Sequence, residues 1–182
     1  MKRIVALLSL LLVTMTGCGS SGSRGVVSPD GQIVEFPTAA ERGTPISLAG
    51  TSLDGMPINI ATYRGKVLVI NIWWSGCGPC IAEAPKLKAA YATGKAAFIG
   101  INVRDNSAAQ GLAFERNLGI PYPSLYAPDG QALLAFNGSV SPVIPSTIVL
   151  DPQGRVAAVA RGLIQGNDTL KDLIQDASKA VS

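Results

Sequence analysis

Trp73-Trp74-Ser75-Gly76-Cys77-Gly78-Pro79-Cys80 is the stretch on which the reading of this chain turns. It follows the apolar, β-branched run Val67–Ile72 and opens the segment Ile81–Tyr91, so the order is strand, short turn, two cysteines, helix. Residues i and i+3 share one face of a helical turn, so the two sulfurs can close a disulfide with little backbone movement. A thiol at a helix start meets unpaired N–H groups and the positive end of the helix dipole, which favour thiolate. Such settings bring a cysteine from about 8.5 down to roughly 3.5–7.5. Cys77 is therefore the expected attacking thiolate and Cys80, one turn inside, the more buried resolving thiol. Gly78 lets the turn fold tightly, and Pro79 sits where a missing N–H costs little. A zinc site would need two further ligands, whereas the chain has no histidine and only one other cysteine.

The chain is 182 residues long and 47% apolar, enough for one domain with a two-layer core plus tails. Its formal charge is +3; without Lys2 and Arg3, 13 basic residues face 12 acidic ones, which argues against nucleic acid as a partner. Those two cations precede the uncharged run Ile4–Val13, too short to span a bilayer comfortably, and residues 1–17 read as a cleaved leader. Its end, Thr14-Met15-Thr16-Gly17-Cys18, resembles a bacterial lipobox, with Met15 where leucine is usual. That resemblance implies lipidation of Cys18, which would leave a single redox pair and account for the odd cysteine count. An ordinary secretory signal with an incidental cysteine is the alternative.

Residues 18–44 are rich in Gly, Ser, Pro and Thr and read as a lipidated start and flexible tether, reaching roughly 30 Å as a coil. Gln32–Phe36 is a possible short strand within it. From residue 45 onward the patterning is that of one domain, 45–182. Ile46–Leu48 and Ile58–Ile60 form an expected β pair around Asp54-Gly55. Val67–Ile72, apolar except for Asn71, reads as a central strand buried on both faces. The next helix carries Pro85, which should kink it. Ala96–Val103 is a strand, Arg104-Asp105-Asn106 a cap for a helix near Ser107–Leu118, with a place near the active face the alternative for Arg104 and Asp105, Pro121–Pro128 a loop, and Asp129–Phe136 a short helix. Ser146–Leu150 and Arg155–Ala160 pair across Asp151-Pro152-Gln153-Gly154, and a closing helix from about Asn167 aligns Leu170, Leu173, Ile174, Ala177 and Val181. The class is α/β around a mixed sheet.

Gly65-Lys66-Val67 through Asn71-Ile72-Trp73, the Cys77–Cys80 motif, Glu83 and Pro85 together resemble the membrane-anchored, thioredoxin-like TlpA/ResA family. Ile144-Pro145-Ser146-Thr147-Ile148-Val149-Leu150-Asp151 with Gly154 is similar to that family's cis-proline loop and final hairpin. The likeness runs from about Pro45 to the C-terminus, and Val103–Gly138 fits the family's central helical insertion. It implies a thioredoxin fold: a mixed central sheet flanked by helices, with an N-terminal β pair. It implies thiol-disulfide exchange on the extracytoplasmic face of the membrane, with no cofactor beyond a redox-active Cys77–Cys80 disulfide. Within the family the nearest likeness is to actinobacterial ResA-like lipoproteins associated with cytochrome c maturation. The implied partners are exported disulfide proteins such as apocytochrome c, a membrane electron donor of the CcdA or DsbD type, and the membrane itself through a lipid anchor.

By the same resemblance Pro145 is cis, presenting backbone groups of Ile144 to an extended substrate; a trans proline at a strand entrance is equally ordinary physically. Glu83, three residues beyond Cys80 on the same helical face, is an expected proton acceptor for Cys80, its alternative a solvated charge paired with Lys86 or Lys88. Gly76 departs from the family, which usually carries Trp or Tyr before the first cysteine; it implies either a wider substrate groove, with Trp74 covering part of the gap, or mere tolerance. Trp73 is assigned to the core and Trp74 to the site margin. The Gly78-Pro79 dipeptide, as in thioredoxin, leans toward a reductase, with an exported oxidase as rival. A peroxidase lacks its Thr-x-x-Cys site here, a copper chaperone its histidine, and a non-catalytic surface lipoprotein would have no need of the cysteine pair.

Overall fold

The computed structural model describes residues 25–136, 138, 143–166 and 168–179. The expected leader 1–17, Cys18 and Val181 lie outside these residues. In chain order the elements are β1 (Val26–Val27), β2 (Ile33–Glu35), α1 (Ala39–Arg42), β3 (Ala49–Thr51), β4 (Pro57–Asn59), β5 (Leu68–Trp73), α2 (Gly78–Ala92), β6 (Ala97–Asn102), α3 (Ala108–Leu118), β7 (Ser124–Tyr126), β8 (Ser146–Leu150), β9 (Val156–Arg161) and α4 (Thr169–Ala177). Short 3-10 turns at Ile60–Tyr63 and Gln131–Phe136 complete them.

Seven strands form one mixed sheet in the order β1-β2-β9-β8-β5-β6-β7, and β3 with β4 makes a separate hairpin. β5 runs parallel to β6 and antiparallel to β8, so it is paired along both edges. Every one of its residues is buried. Its alternation divides the core: Leu68, Ile70 and Ile72 join Ile99, Ile101, Ile148 and Phe136 on one face, whereas Val69 joins Leu87, Phe98, Leu170, Leu173 and Ile174 on the other. Each such side chain contributes about 1.5–3 kcal/mol by leaving water. The expected α/β class with a mixed sheet, N-terminal pair and central helical insertion is what the chain adopts.

Three boundaries differ from the sequence reading, each for a physical reason. First, residues 26–42 lie within the expected tether, yet β2 pairs with β9 and α1 is closed by a Thr38/Glu41 capping box. The weakly apolar pattern there conceals a polar anchor. Arg42, buried, donates through Nε to the Phe36 carbonyl (2.8 Å) and through one terminal nitrogen to Asp151 Oδ2 (3.2 Å), which also accepts from Arg155 (2.9 Å). Second, the Pro121–Pro128 loop contains β7, which within the sheet pairs with β6 and is met on its other side by a single bridge from Ser52 to Leu125, so it lies at the sheet border, where flanking prolines cost no ladder bonds. Third, the N-terminal β pair forms three residues further along on its first strand, because Ile46 and Leu48 are drawn into the main core. Pro85 does not break α2, which continues to Ala92.

Arg42→Ala removes one of the two cations on the buried Asp151 and leaves the Phe36 carbonyl without its donor, while Arg155 keeps the carboxylate paired, so it should lower stability by about 1–3 kcal/mol. Urea denaturation would register this as a lower midpoint at similar slope.

Candidate active site

The C-terminal end of β5 delivers Trp73 into the core and turns the chain through Trp74-Ser75-Gly76 into α2. Cys77 is the N-cap of that helix: its backbone is extended, and its Sγ accepts from the Cys80 amide at 3.1 Å. The sulfur thus takes up one of the orphan N–H groups of the first turn. Pro79 occupies the first turn, as its missing donor allows. Cys77 and Cys80 are joined by a disulfide, their Cα atoms 5.2 Å apart. Both are almost fully buried, 4% and 5% exposed, so Cys80 is not the more buried of the two as expected. The reason is a shared apolar nest: Leu53 and Trp73 form one cluster with both cysteines, and Trp74, Phe114, Tyr126 and Ile144 pack against it.

Glu83 lies one turn beyond Cys80 and is fully buried. Its Oε2 accepts from Asn71 Nδ2 and its Oε1 from the Ile164 amide, each at 3.1 Å. Burial pushes its pKa up to about 7; these two hydrogen bonds and the charge of Lys86 oppose the rise without cancelling it. The solvated alternative fails, because Lys86 donates to the Ile164 carbonyl and Lys88 to that of Leu118. Asn71 also reaches Thr147 Oγ1 at 3.3 Å, tying the acid on α2 to β8 just after the proline loop. A carboxyl that titrates near neutrality can exchange a proton with a neighbouring thiol.

The Ile144–Pro145 peptide bond is cis. The Pro145 carbonyl accepts from the Gly162 amide at 2.8 Å, whereas the backbone groups of Ile144 make no hydrogen bond with another described residue. They are thus placed to pair with an extended segment.

Trp73 sits in the core as expected, its Nε1 donating to Ser124 Oγ (3.1 Å) and its ring stacked on Phe114. Trp74 is half-buried and lies against Gly76. Trp74 thus covers part of the gap left before Cys77.

Asp105 takes the place near the active face rather than the helix cap. The helix α3 is capped by Ser107, whose Oγ accepts from the Gln110 amide, and Asp105 points instead at the active-site turn. Its buried carboxylate accepts from the Ser75 amide (3.1 and 3.2 Å), the Ser75 hydroxyl (2.7 Å) and Asn102 Nδ2 (2.7 Å). Arg104 beside it is the one non-glycine among the described residues at positive φ, 62°, a conformation that turns the chain so that the carboxylate faces inward. No periodicity announces this contact, since the partners lie 30 positions apart.

Against known proteins, the Redoxin family profile matches residues 31–174. The chain belongs to that family, among its TlpA/ResA-like thioredoxin members. It is 30% identical to the thiol-disulfide oxidoreductase ResA of Bacillus subtilis over 112 residues, 60% of each chain. It is also 30% identical to the thiol:disulfide interchange protein HelX of Rhodobacter capsulatus over 152 residues, covering 82% of this chain and 83% of that one. Among solved structures, a secreted thiol-disulfide isomerase from Corynebacterium glutamicum superposes with a TM-score of 0.74 at 32% identity, over 85% of this chain and 98% of that one. With the Cys77–Cys80 pair in place, this redoxin is a thiol-disulfide oxidoreductase.

The raised acidity constant of Glu83 carries a stability consequence. The folded chain holds this proton up to about pH 7, whereas the unfolded carboxyl releases it near 4.5. Its contribution is full below the unfolded value and is lost as pH rises through the folded one, by about 3 kcal/mol at most. Glu83→Gln should flatten the fall in stability between pH 4.5 and 7, as followed by denaturation at stepped pH.

Proposed function

We propose that the protein reduces disulfides in exported proteins, apocytochrome c among them, on the outer face of the cell membrane. The observation that carries the reading is a cysteine pair at a helix start with a buried acid one turn deeper and a cis-proline segment beside it. Reduction begins with attack of the Cys77 thiolate on a client disulfide, which breaks that bond and forms a mixed disulfide. Cys80 then loses its proton to Glu83 and attacks Cys77 Sγ, expelling the client as a dithiol and leaving the Cys77–Cys80 disulfide. A membrane donor of the CcdA or DsbD type returns two electrons, and the cycle needs no cofactor beyond the cysteine pair.

The direction is supported by charge. Asp105 places a carboxylate on the turn at Ser75, while Glu83, with its pKa raised to about 7, adds charge only in the fraction that is ionised. Negative charge opposes a neighbouring thiolate, which destabilises the reduced pair and makes it a better reductant. A potential near about −270 mV fits this role, whereas a value near about −120 mV would make the protein an oxidase that installs disulfides.

Export is supported by the secreted relative from Corynebacterium glutamicum and by the apolar leader. Lipidation at Cys18 would anchor the chain. Among the described residues no helix is long and apolar enough to cross a membrane.

Cys80→Ser should accumulate a mixed disulfide through Cys77 when expressed in cells, visible on non-reducing gels and identifiable by mass spectrometry. Absence of any adduct from Cys80→Ser, or an equal yield from Cys77→Ser, would refute the cycle.

A further inference from the structure

Trp74 and Gly76 interlock across a single turn. A Cβ placed on Gly76 would lie 2.2 Å from Cζ3 and 2.3 Å from Cη2 of the Trp74 indole, with Cε3 at 2.9 Å. Non-bonded carbons in contact stand about 3.5–4.0 Å apart, so the ring fills the space that any side chain at 76 would need. An indole is rigid, and relief would require the whole ring to leave. Backbone conformation does not impose the glycine, since Gly76 is not among the positive-φ glycines. The ring imposes it.

The placement matters because access to Cys77 is narrow. Cys77 is only 4% exposed, and the half-buried side chains that pack against its cluster include Trp74 from the turn and Ile144 from the cis-proline segment. Gly76 itself is exposed, so the indole lying over it borders the open side of the site.

We propose that Trp74 is a specificity-determining residue: seated on Gly76, its indole is the apolar wall against which an extended polypeptide disulfide packs as it reaches Cys77. The proposal rests on the exchange reading above. A polypeptide gains contact with the ring on either side of its cysteine, whereas a small disulfide offers nothing beyond the reacting sulfurs. The selected substrates are therefore protein disulfides in extended, apolar segments, and Gly76 serves them by leaving room for the ring.

The experiment compares kcat/KM for a peptide disulfide with an apolar flank and for the small disulfide 5,5′-dithiobis(2-nitrobenzoate), in the wild-type chain and in Trp74→Ala, Gly76→Ala and the double variant. The ratio of peptide to small-disulfide efficiency should fall about tenfold in each single variant, chiefly through KM for the peptide. The double variant should fall no further, because both changes remove the same wall. Trp73 is buried, so iodide quenching reports on Trp74, and Gly76→Ala should increase it. An unchanged ratio, losses that multiply in the double variant, or unaltered quenching in Gly76→Ala would overturn the proposal while leaving exchange intact. Failure of the wild-type chain to exchange with either disulfide would instead overturn the parent reading.

Discussion

A strand buried on both faces and paired on both edges leaves its following residues little choice of position. β5 is such a strand, and its last residue, Trp73, is pinned by Ser124 and Phe114. The three residues after it must cross from sheet to helix in one turn, and Asp105 holds the middle of that turn through Ser75. Only with both restraints does the Cys77 sulfur arrive at the first amides of α2, where the helix stabilises negative charge. The chemistry of the pair thus depends on packing that involves no reactive atom.

The interior around the pair is polar in a selective way. Asn71 is the one polar residue in β5, and it faces α2, where it donates to Glu83 and to Thr147. Without those partners it would be a buried amide in an apolar layer, at a cost of about 1–3 kcal/mol. The network fixes the carboxyl one turn beyond Cys80, and burial raises its pKa to about 7, so both protonation forms are present near neutrality. Burial in the core raises the acid's pKa, whereas Asn71 holds it in register and opposes that rise.

Much of this was legible in the sequence, and the parts that were not share a cause. The strand Val67–Ile72, the cysteine pair, the amphipathic closing helix and the Ile144–Pro145 bond were readable from local patterns or from family resemblance. The contacts of Arg42 with Asp151, of Ser75 with Asp105 and of Asn71 with Thr147 were not, because each joins segments far apart in the chain by side-chain geometry alone. The equal burial of the two cysteines escaped for a similar reason: the nest that covers them is drawn from Leu53, Phe114, Tyr126 and Ile144, on four separate segments. Gly76 was conspicuous as a missing side chain with Trp74 as its expected cover, and the structure adds how closely that ring fills the place.

The two borders of the sheet bear on how the molecule meets other polypeptides. One border is β1, two residues long, and the other is β7, three residues between Pro123 and Pro128. Neither offers enough consecutive free amides to template a foreign strand. Among the described residues these borders offer little to extend, whereas the backbone of Ile144, which makes no hydrogen bond with another described residue, belongs to a side chain packed against the cysteine cluster. The architecture thereby separates docking from misassembly: among the described residues, the place where an outside backbone can align is also where a disulfide can be exchanged and the visitor released.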